Sequence, residues 1–327
     1  MTADFWRDRP VLVTGCTGIL GSWLVRALLE RGADVVGLVR DGVPQSQLVL
    51  SGDYRRIKTV RGGVTDVALL ERVLAEYEVE TVIHLAAQTA VPIANRNPLS
   101  TFETNIRGTW LLLEAARRVR SVQRLLVASS DKAYGLSEQL PYTEDAPLLA
   151  HHPYDVSKVC AELLGRTYAA TYQLPVAITR CANLYGGGDL NWTRIVPGTM
   201  RAVIYGEAPI IRSDGHYVRD YLYVQDAVSA YIRLAEALDS PGVKGQAFNF
   251  GTDAPHQVLE IVRVIIALSE HPTLEPVILD QASNEIQAQY ASSEKAQRLL
   301  GWRPAFTLQV GLAQTLEWYR TFLNGDL

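Results

Sequence analysis

The sequence predicts an α/β fold: a doubly wound parallel sheet over residues 1–182 and a smaller C-terminal α/β lobe, mainly over 183–327, with some of its segments returning to the sheet domain. Three observations carry this. Strand-like and helix-like segments alternate from the start, which implies βαβ units with helices on both faces of the sheet. A glycine-rich turn joins the first strand to the first helix. After about residue 182 the alternation loosens into Gly- and Pro-bearing loops with shorter elements.

The elements follow in order. VLVTG (11–15) is an apolar strand, followed by helix-periodic ILGSWLVRALLERG. DVVGLV (34–39) is the second strand, and a weak strand precedes GGVTD. TDVALLERVLAEY (65–77) has helical spacing, with Asp66 as a candidate N-cap. TVIHLAA (81–87) is the next clear strand. STFETNIRGTWLLLEAARRV (100–119) reads as one long helix, and Ser100 with Glu103 has capping-box spacing. RLLVA (124–128), a helix over 154–172 and PVAITR (175–180) complete the series.

A chain of 327 residues with 48% hydrophobic content can bury a full core. Net charge is −4 with no run of one sign, so no footprint for nucleic acid or anionic membrane is visible. Three scattered cysteines (Cys16, Cys160, Cys181) suit neither a disulfide framework nor a metal site, and Cys160 and Cys181 read as small core residues. The N-terminus MTADFWRDRP is charged and without an apolar core, so no secretory signal is expected. No apolar run is long enough to span a bilayer. The expectation is a cytoplasmic, enzyme-sized protein.

TGCTGILG (14–21) sets Gly15, Gly18 and Gly21 between a strand and a helix. Gly15 permits a tight turn, Gly18 lets backbone approach a pyrophosphate, and Gly21 lets the helix pack on the sheet. This is the Rossmann-type arrangement for a dinucleotide whose pyrophosphate meets the helix N-terminus. The second strand ends LVRDG, with Val39 where an acid for the adenosine ribose of NAD is expected. Arg40 suits a 2′-phosphate, so the reading leans to NADP, with Asp41 keeping NAD open. Asp66 either caps its helix or touches adenine. His84 reads as a packed core histidine, and HLAAQT (84–89) ends its strand at the sheet edge where a ligand lies.

YDVSK places Tyr154 and Lys158 four apart, on one face of a helix. A neighbouring ammonium and a nicotinamide cation favour phenolate, so Tyr154 can take a proton from a substrate hydroxyl while hydride leaves for the cofactor. Lys158 also suits the nicotinamide ribose. SSDKAYG (129–135), after the strand RLLVA, sets an acid beside an amine, as either a polar turn or a proton-transfer site.

These motifs, with NIRGT (105–109), NLYGGGD (183–189), YVRDYLYVQD (217–226) and SSEKAQRLLGWRPAF (292–306), resemble the extended short-chain dehydrogenase/reductases that act on nucleotide sugars. Within that family, AAQTAV, NRNPLSTFETNIRGTW and SDKAYG are most similar to the CDP-glucose 4,6-dehydratases, whereas GLVR looks more like the NADP-using GDP-mannose 4,6-dehydratases. The resemblance implies cofactor contacts at Thr17, Ile19, Leu20, Val67, Leu85, Ala86, Ala87, Gln88 and Asn105. It implies that Ser130 completes a triad with Tyr154 and Lys158. Asp131 would then be the acid for departing water, and Lys132 the C5 base or the support for an enolate. Asn183 and Arg219 resemble diphosphate ligands, with Arg194 and Arg212 as weaker candidates that could equally be surface arginines. Tyr185 and Trp192 read as core. The implied activity is an NDP-hexose 4,6-dehydratase with NADP or NAD bound and recycled, forming a homodimer through the two long helices. A 4-epimerase shares every motif except Asp131–Lys132, and a non-catalytic NAD(P)-binding sensor is the third reading.

Overall fold

The structure, a computed structural model, describes residues 4–137, 139–281 and 286–326. Seven strands form its main sheet: β1 (Pro10–Thr14), β2 (Asp34–Val39), β3 (Lys58–Arg61), β4 (Thr81–His84), β5 (Arg124–Ala128), β6 (Val176–Cys181) and β7 (Ala247–Phe250). Their spatial order is β7-β6-β5-β4-β1-β2-β3 and every pairing is parallel. The order reverses between β1 and β4, so a crevice opens outside their carboxyl ends, where such sheets bind ligands.

Side chains alternate between two apolar layers, as the period of a strand dictates. Val11 and Val13 of β1 face one layer and Leu12 the other. The first layer packs α1 (Ile19–Glu30) and α6 (Val224–Glu236) against the sheet, and it continues into α5 (Ile195–Ile204), α7 (Val258–Leu268) and α8 (Leu308–Asn324) of the C-terminal lobe. The second layer holds α2 (Val67–Glu76), α3 (Gly108–Val119) and α4 (Pro153–Tyr172).

One expectation changes. The long helix does not start with a Ser100–Glu103 capping box. It starts at Pro98, where the Asn97 side chain accepts from Ser100 N at 3.1 Å. Proline at the first helical position has no N–H to orphan, so the start falls there. Nor is the helix uniform: Pro98–Phe102 runs into a π turn, Glu103–Arg107, before α3. The seventh strand, AFNF, lies beyond the segment read as strand–helix repeats, and returns late chain to the edge of the sheet. Short strands then bring distant residues together. Asn183–Tyr185 pairs with Tyr221–Tyr223, and Val218–Arg219 lies between His256–Gln257 and Ala288–Gln289.

Candidate functional site

The glycine turn is tight enough that side chains are excluded. Gly15 has φ +72°, and a Cβ there would sit 2.8 Å from Ala86 N. A Cβ on Gly21 would sit 2.2 Å from the Gly15 carbonyl oxygen, so α1 can pack this close only on glycine. Gly18 caps α1 with room around it, and its N–H donates to the Gly15 carbonyl at 3.1 Å. Ile19, Leu20 and Gly21 form the first turn. Leu20 buries its side chain in the core, so its main-chain N–H is what it can offer an anion. Thr17 lines a cleft of about 230 Å³ with Val39, Val43, Pro44, Val49, Tyr54 and Arg61. Mostly apolar and beside the glycine turn, this cleft fits the adenosine end of a dinucleotide. Arg40 is exposed and paired with Asp41 at 2.6 Å.

Asp66 caps α2: its carboxylate accepts from Leu69 N at 3.0 Å, and Val67 begins that helix. At the end of β4, Ala86 N donates to the Thr14 hydroxyl (3.2 Å) and Leu85 N to the Thr14 carbonyl (3.2 Å). Past Ala87, Gln88 N donates to Asn105 Oδ1 (2.7 Å), and Asn105 Nδ2 donates to the Gln88 carbonyl (3.1 Å) and to Ser157 Oγ (2.8 Å). Asn105 therefore ties the loop after β4 to α4. It lies in the π turn, an irregularity that often marks functional positions.

Tyr154, Lys158 and Ser130 are buried beside the ends of β5 and β6. Lys158 Nζ donates to the Ala128 carbonyl at 2.8 Å and lies 5.9 Å from the Tyr154 ring centroid. Burial pulls this amine down to about 8. Burial pushes the Tyr154 phenol up. A hydrogen bond with Ser130 opposes this, Asp131 and Asp155 add to it, and Arg194 opposes it. The protein alone thus keeps Tyr154 protonated, against the lowering expected from the Lys158 ammonium.

Asp131 and Lys132 lie on a 3-10 turn, Asp131–Tyr134, whose N-cap is Ser130. Ser130 Oγ accepts from Lys132 N (3.2 Å) and donates to Asp131 Oδ1 (3.1 Å). Asp131 is 2% exposed, and its Oδ2 is buried with no partner among the described residues. Lys132 Nζ lies 4.0 Å from Asp131 Oδ1 and donates to Asn183 Oδ1 (3.4 Å) and Gln289 Oε1 (3.2 Å). Tyr134 and Gly135 are structural: the Tyr134 hydroxyl donates to Asn249 Oδ1 at 2.7 Å, and Gly135 has φ +65° against the Leu149 carbonyl.

The expected diphosphate ligands fall differently. Asn183 sits at Lys132. Arg219 donates to the carbonyls of Val218 (2.8 Å), Gln287 (3.1 Å) and Ile286. Arg194 is anchored by Asp189 (2.5 Å) and the Leu184 carbonyl (2.7 Å), and its charge reaches Tyr154. Arg212 is exposed after a short strand. Tyr185 is buried, and Trp192 packs on Tyr319, as core residues. Cys160 is only half-buried, whereas Cys181 is in the core.

Three residues of the site were missed. Arg61 lines the adenosine-side cleft. Gln289 reaches Lys132 from far down the chain. Asp155 is 7% exposed within YDVSK, and burial raises its carboxyl against the opposing charges of Lys132 and His152. Its place beside Tyr154 was the one signal available. Among the described residues no cluster of ligands could hold a metal, and no helix is long and apolar enough to cross a membrane.

A doubly wound sheet, a glycine turn and a buried Ser–Tyr–Lys cluster define an extended short-chain dehydrogenase/reductase. The chain belongs to the GDP-mannose 4,6 dehydratase family, whose model matches residues 12–315. It is 30% identical to the CDP-glucose 4,6-dehydratase of Salmonella typhimurium, over 99% of this chain and 94% of that protein. It is 33% identical to the dTDP-glucose 4,6-dehydratase of Xanthomonas campestris pv. campestris, over 95% and 93%. Among solved structures, an epimerase from Methanothermobacter thermautotrophicus superposes with TM-score 0.90 at 29% identity, covering 98% of this chain and 95% of that one. The dTDP-glucose 4,6-dehydratase of Bacillus anthracis in complex with NAD superposes with TM-score 0.83 at 28% identity, covering 96% and 97%.

Proposed function

We propose that the protein is a nucleoside-diphosphate-hexose 4,6-dehydratase that converts its substrate to a 4-keto-6-deoxy sugar nucleotide with loss of water. The observation that carries this is the buried turn Ser130–Asp131–Lys132 beside Tyr154, with Asp131 Oδ2 left without a partner. Tyr154 and Lys158 serve oxidation at C4. Dehydration needs two more proton-transfer groups, and this turn supplies them.

A bound nicotinamide cofactor would supply the acceptor and later the donor of the hydride exchanged with the sugar, and in its oxidised form the nearby positive charge that favours the Tyr154 phenolate against burial. Ser130 holds the sugar O4, and Tyr154 takes the O4 proton. The resulting ketone acidifies C5–H, and Lys132 removes that proton. Asp131 gives a proton to the departing C6 oxygen, which leaves as water. A proton returns to C5 as C6 is reduced, so redox balance closes within one turnover. Asp131 and Tyr154 reset by proton exchange with solvent.

The cofactor reading stays with NADP: Arg61 lines the adenosine-side cleft, and Arg40 follows Val39, another lining residue, in the sequence; either guanidinium suits a 2′-phosphate. The NAD in the Bacillus anthracis relative favours the alternative, and the mass of the co-purifying nucleotide decides between them. Arg219, with Arg194 nearby, is proposed for the substrate diphosphate, where a guanidinium fork matches the anion. Exposed Trp110 on α3 and Leu163 on α4 support a homodimer through those helices.

The likeness to epimerases favours one second reading, a 4-epimerase. Incubation with CDP-, GDP-, UDP- and dTDP-hexoses separates the two. The expected product has lost one water and shows 4-keto-6-deoxy absorbance in alkali. Asp131→Asn with Lys132→Ala is expected to abolish water loss while cofactor stays bound. A C4 epimer as sole product, or unimpaired dehydration in the double variant, refutes the assignment.

A further inference from the structure

We propose that Gln289 is a positioning residue for Lys132, holding its ammonium with a neutral amide so that the amine remains available to the sugar. The inference rests on the dehydratase reading and adds to it a residue 157 positions away in sequence. Gln289 is 2% exposed and ends the two-residue strand Ala288–Gln289, where it pairs with Arg219. Every polar atom of its amide turns to one place. Oε1 accepts from Lys132 Nζ at 3.2 Å, and Nε2 donates to the carbonyls of Asp131 (3.4 Å) and Gly135 (3.5 Å). One side chain thus fixes both the turn that carries the acid–amine pair and the head of the amine.

Lysine needs such help. Its side chain has four rotatable bonds, and this one is 26% exposed. Ordering it only at the moment of reaction would add an entropic cost to the barrier. Gln289 and Asn183 order it beforehand.

The choice of amide over carboxylate has a consequence. The charged groups around Lys132 are Asp131 on its own turn, Asp155 on α4 (with His152 ahead of it) and Arg219 beside Gln289. A carboxylate at 289 would add a second acid within contact distance of the ammonium, stabilise the charged form and oppose proton removal from C5.

Full-length, cofactor-bound protein carrying Gln289→Met or Gln289→Glu tests this. In Q289M, kcat for water loss is expected to fall roughly tenfold with KM little changed, as for a group acting in the transition state. Lys132 should also become several-fold more reactive toward an amine-labelling reagent, read by peptide mass spectrometry, while Lys158 does not. In Q289E, the rise of rate with pH is expected to begin at higher pH, with activity recovering in alkali. Wild-type labelling of Lys132 in Q289M overturns the proposal, as does an unshifted pH profile in Q289E. Should Q289M fail to fold, the Q289E profile decides. If the wild-type protein yields only an epimer, the dehydratase reading falls, and the Lys132 labelling still judges the positioning claim separately.

Discussion

Two buried rings show how environment sets chemistry. Sequence spacing puts Lys158 on the same helix face as Tyr154, and that much is correct. The sign of the effect is not legible, because burial depends on what packs above the helix. His84 is the cleaner case. The ring is 3% exposed, its Nδ1 lies 2.8 Å from the Thr14 hydroxyl, and its Nε2 lies 3.0 Å from the Thr109 hydroxyl. Thr109 gives its own proton to the Asn105 carbonyl at 2.6 Å, so Nε2 donates and Nδ1 accepts, the neutral tautomer. Burial, aided by Lys158, pulls the ring down to about 3. An unfolded histidine titrates near ~6.5, so between these values the unfolded chain binds the extra proton. The stability contributed by neutral His84 is complete above that range and lost as pH falls through it. His84→Gln does not titrate. Its unfolding midpoint is expected to drop less than the wild type's between pH ~7 and pH ~4; parallel drops would show that His84 is not the group responsible.

Elements connect through side chains that periodicity does not reveal. Apolar spacing reads α2 and α4 to within a residue or two, reads β2 and β5 to the residue, and offsets β1 and β6 by one. It does not see the π turn, because one extra residue leaves the i, i+3 and i+4 pattern almost intact. That turn nevertheless places Asn105 between Gln88 and Ser157. A second junction lies beneath the active turn. Arg180 of β6, 1% exposed, pairs twice with Glu162 of α4 (2.8 and 2.5 Å) and donates to the Tyr134 hydroxyl (2.5 Å). Tyr134 in turn reaches Asn249 of β7. Four elements thus meet on one buried cation. Removing its carboxylate leaves that charge uncompensated, so Glu162→Ala is expected to cost about 3–5 kcal/mol in denaturant unfolding. A loss near that of an ordinary surface substitution would show that solvent or Tyr134 satisfies Arg180 instead.

At the scale of the molecule, the proposed active centre draws on both halves of the chain. The glycine turn, Asp131, Lys132, Tyr154 and Lys158 lie in the first 182 residues and can be found from motif and spacing. Asn183 and Arg219, named from their motifs, and Gln289, which no motif marked, reach the same region through strands of two or three residues, too short to leave a periodic signal. β7 also returns to the sheet from late in the chain, so the two lobes share one apolar layer rather than meeting at a boundary. The opposite layer exposes large apolar side chains on the two helices proposed for the homodimer. Trp110 on α3 is 41% exposed, and Leu163 on α4 is 52% exposed. Large apolar residues grouped on an outer face mark an interaction surface, and a stable homodimer needs roughly 800 Å² from each subunit. Trp110→Glu combined with Leu163→Glu puts two carboxylates on that face of each copy and desolvates them on association. By light scattering, the wild type is expected as a dimer and the double variant as a folded monomer that retains its cofactor. A monomeric wild type, or a variant that remains dimeric, would place the interface elsewhere or remove it.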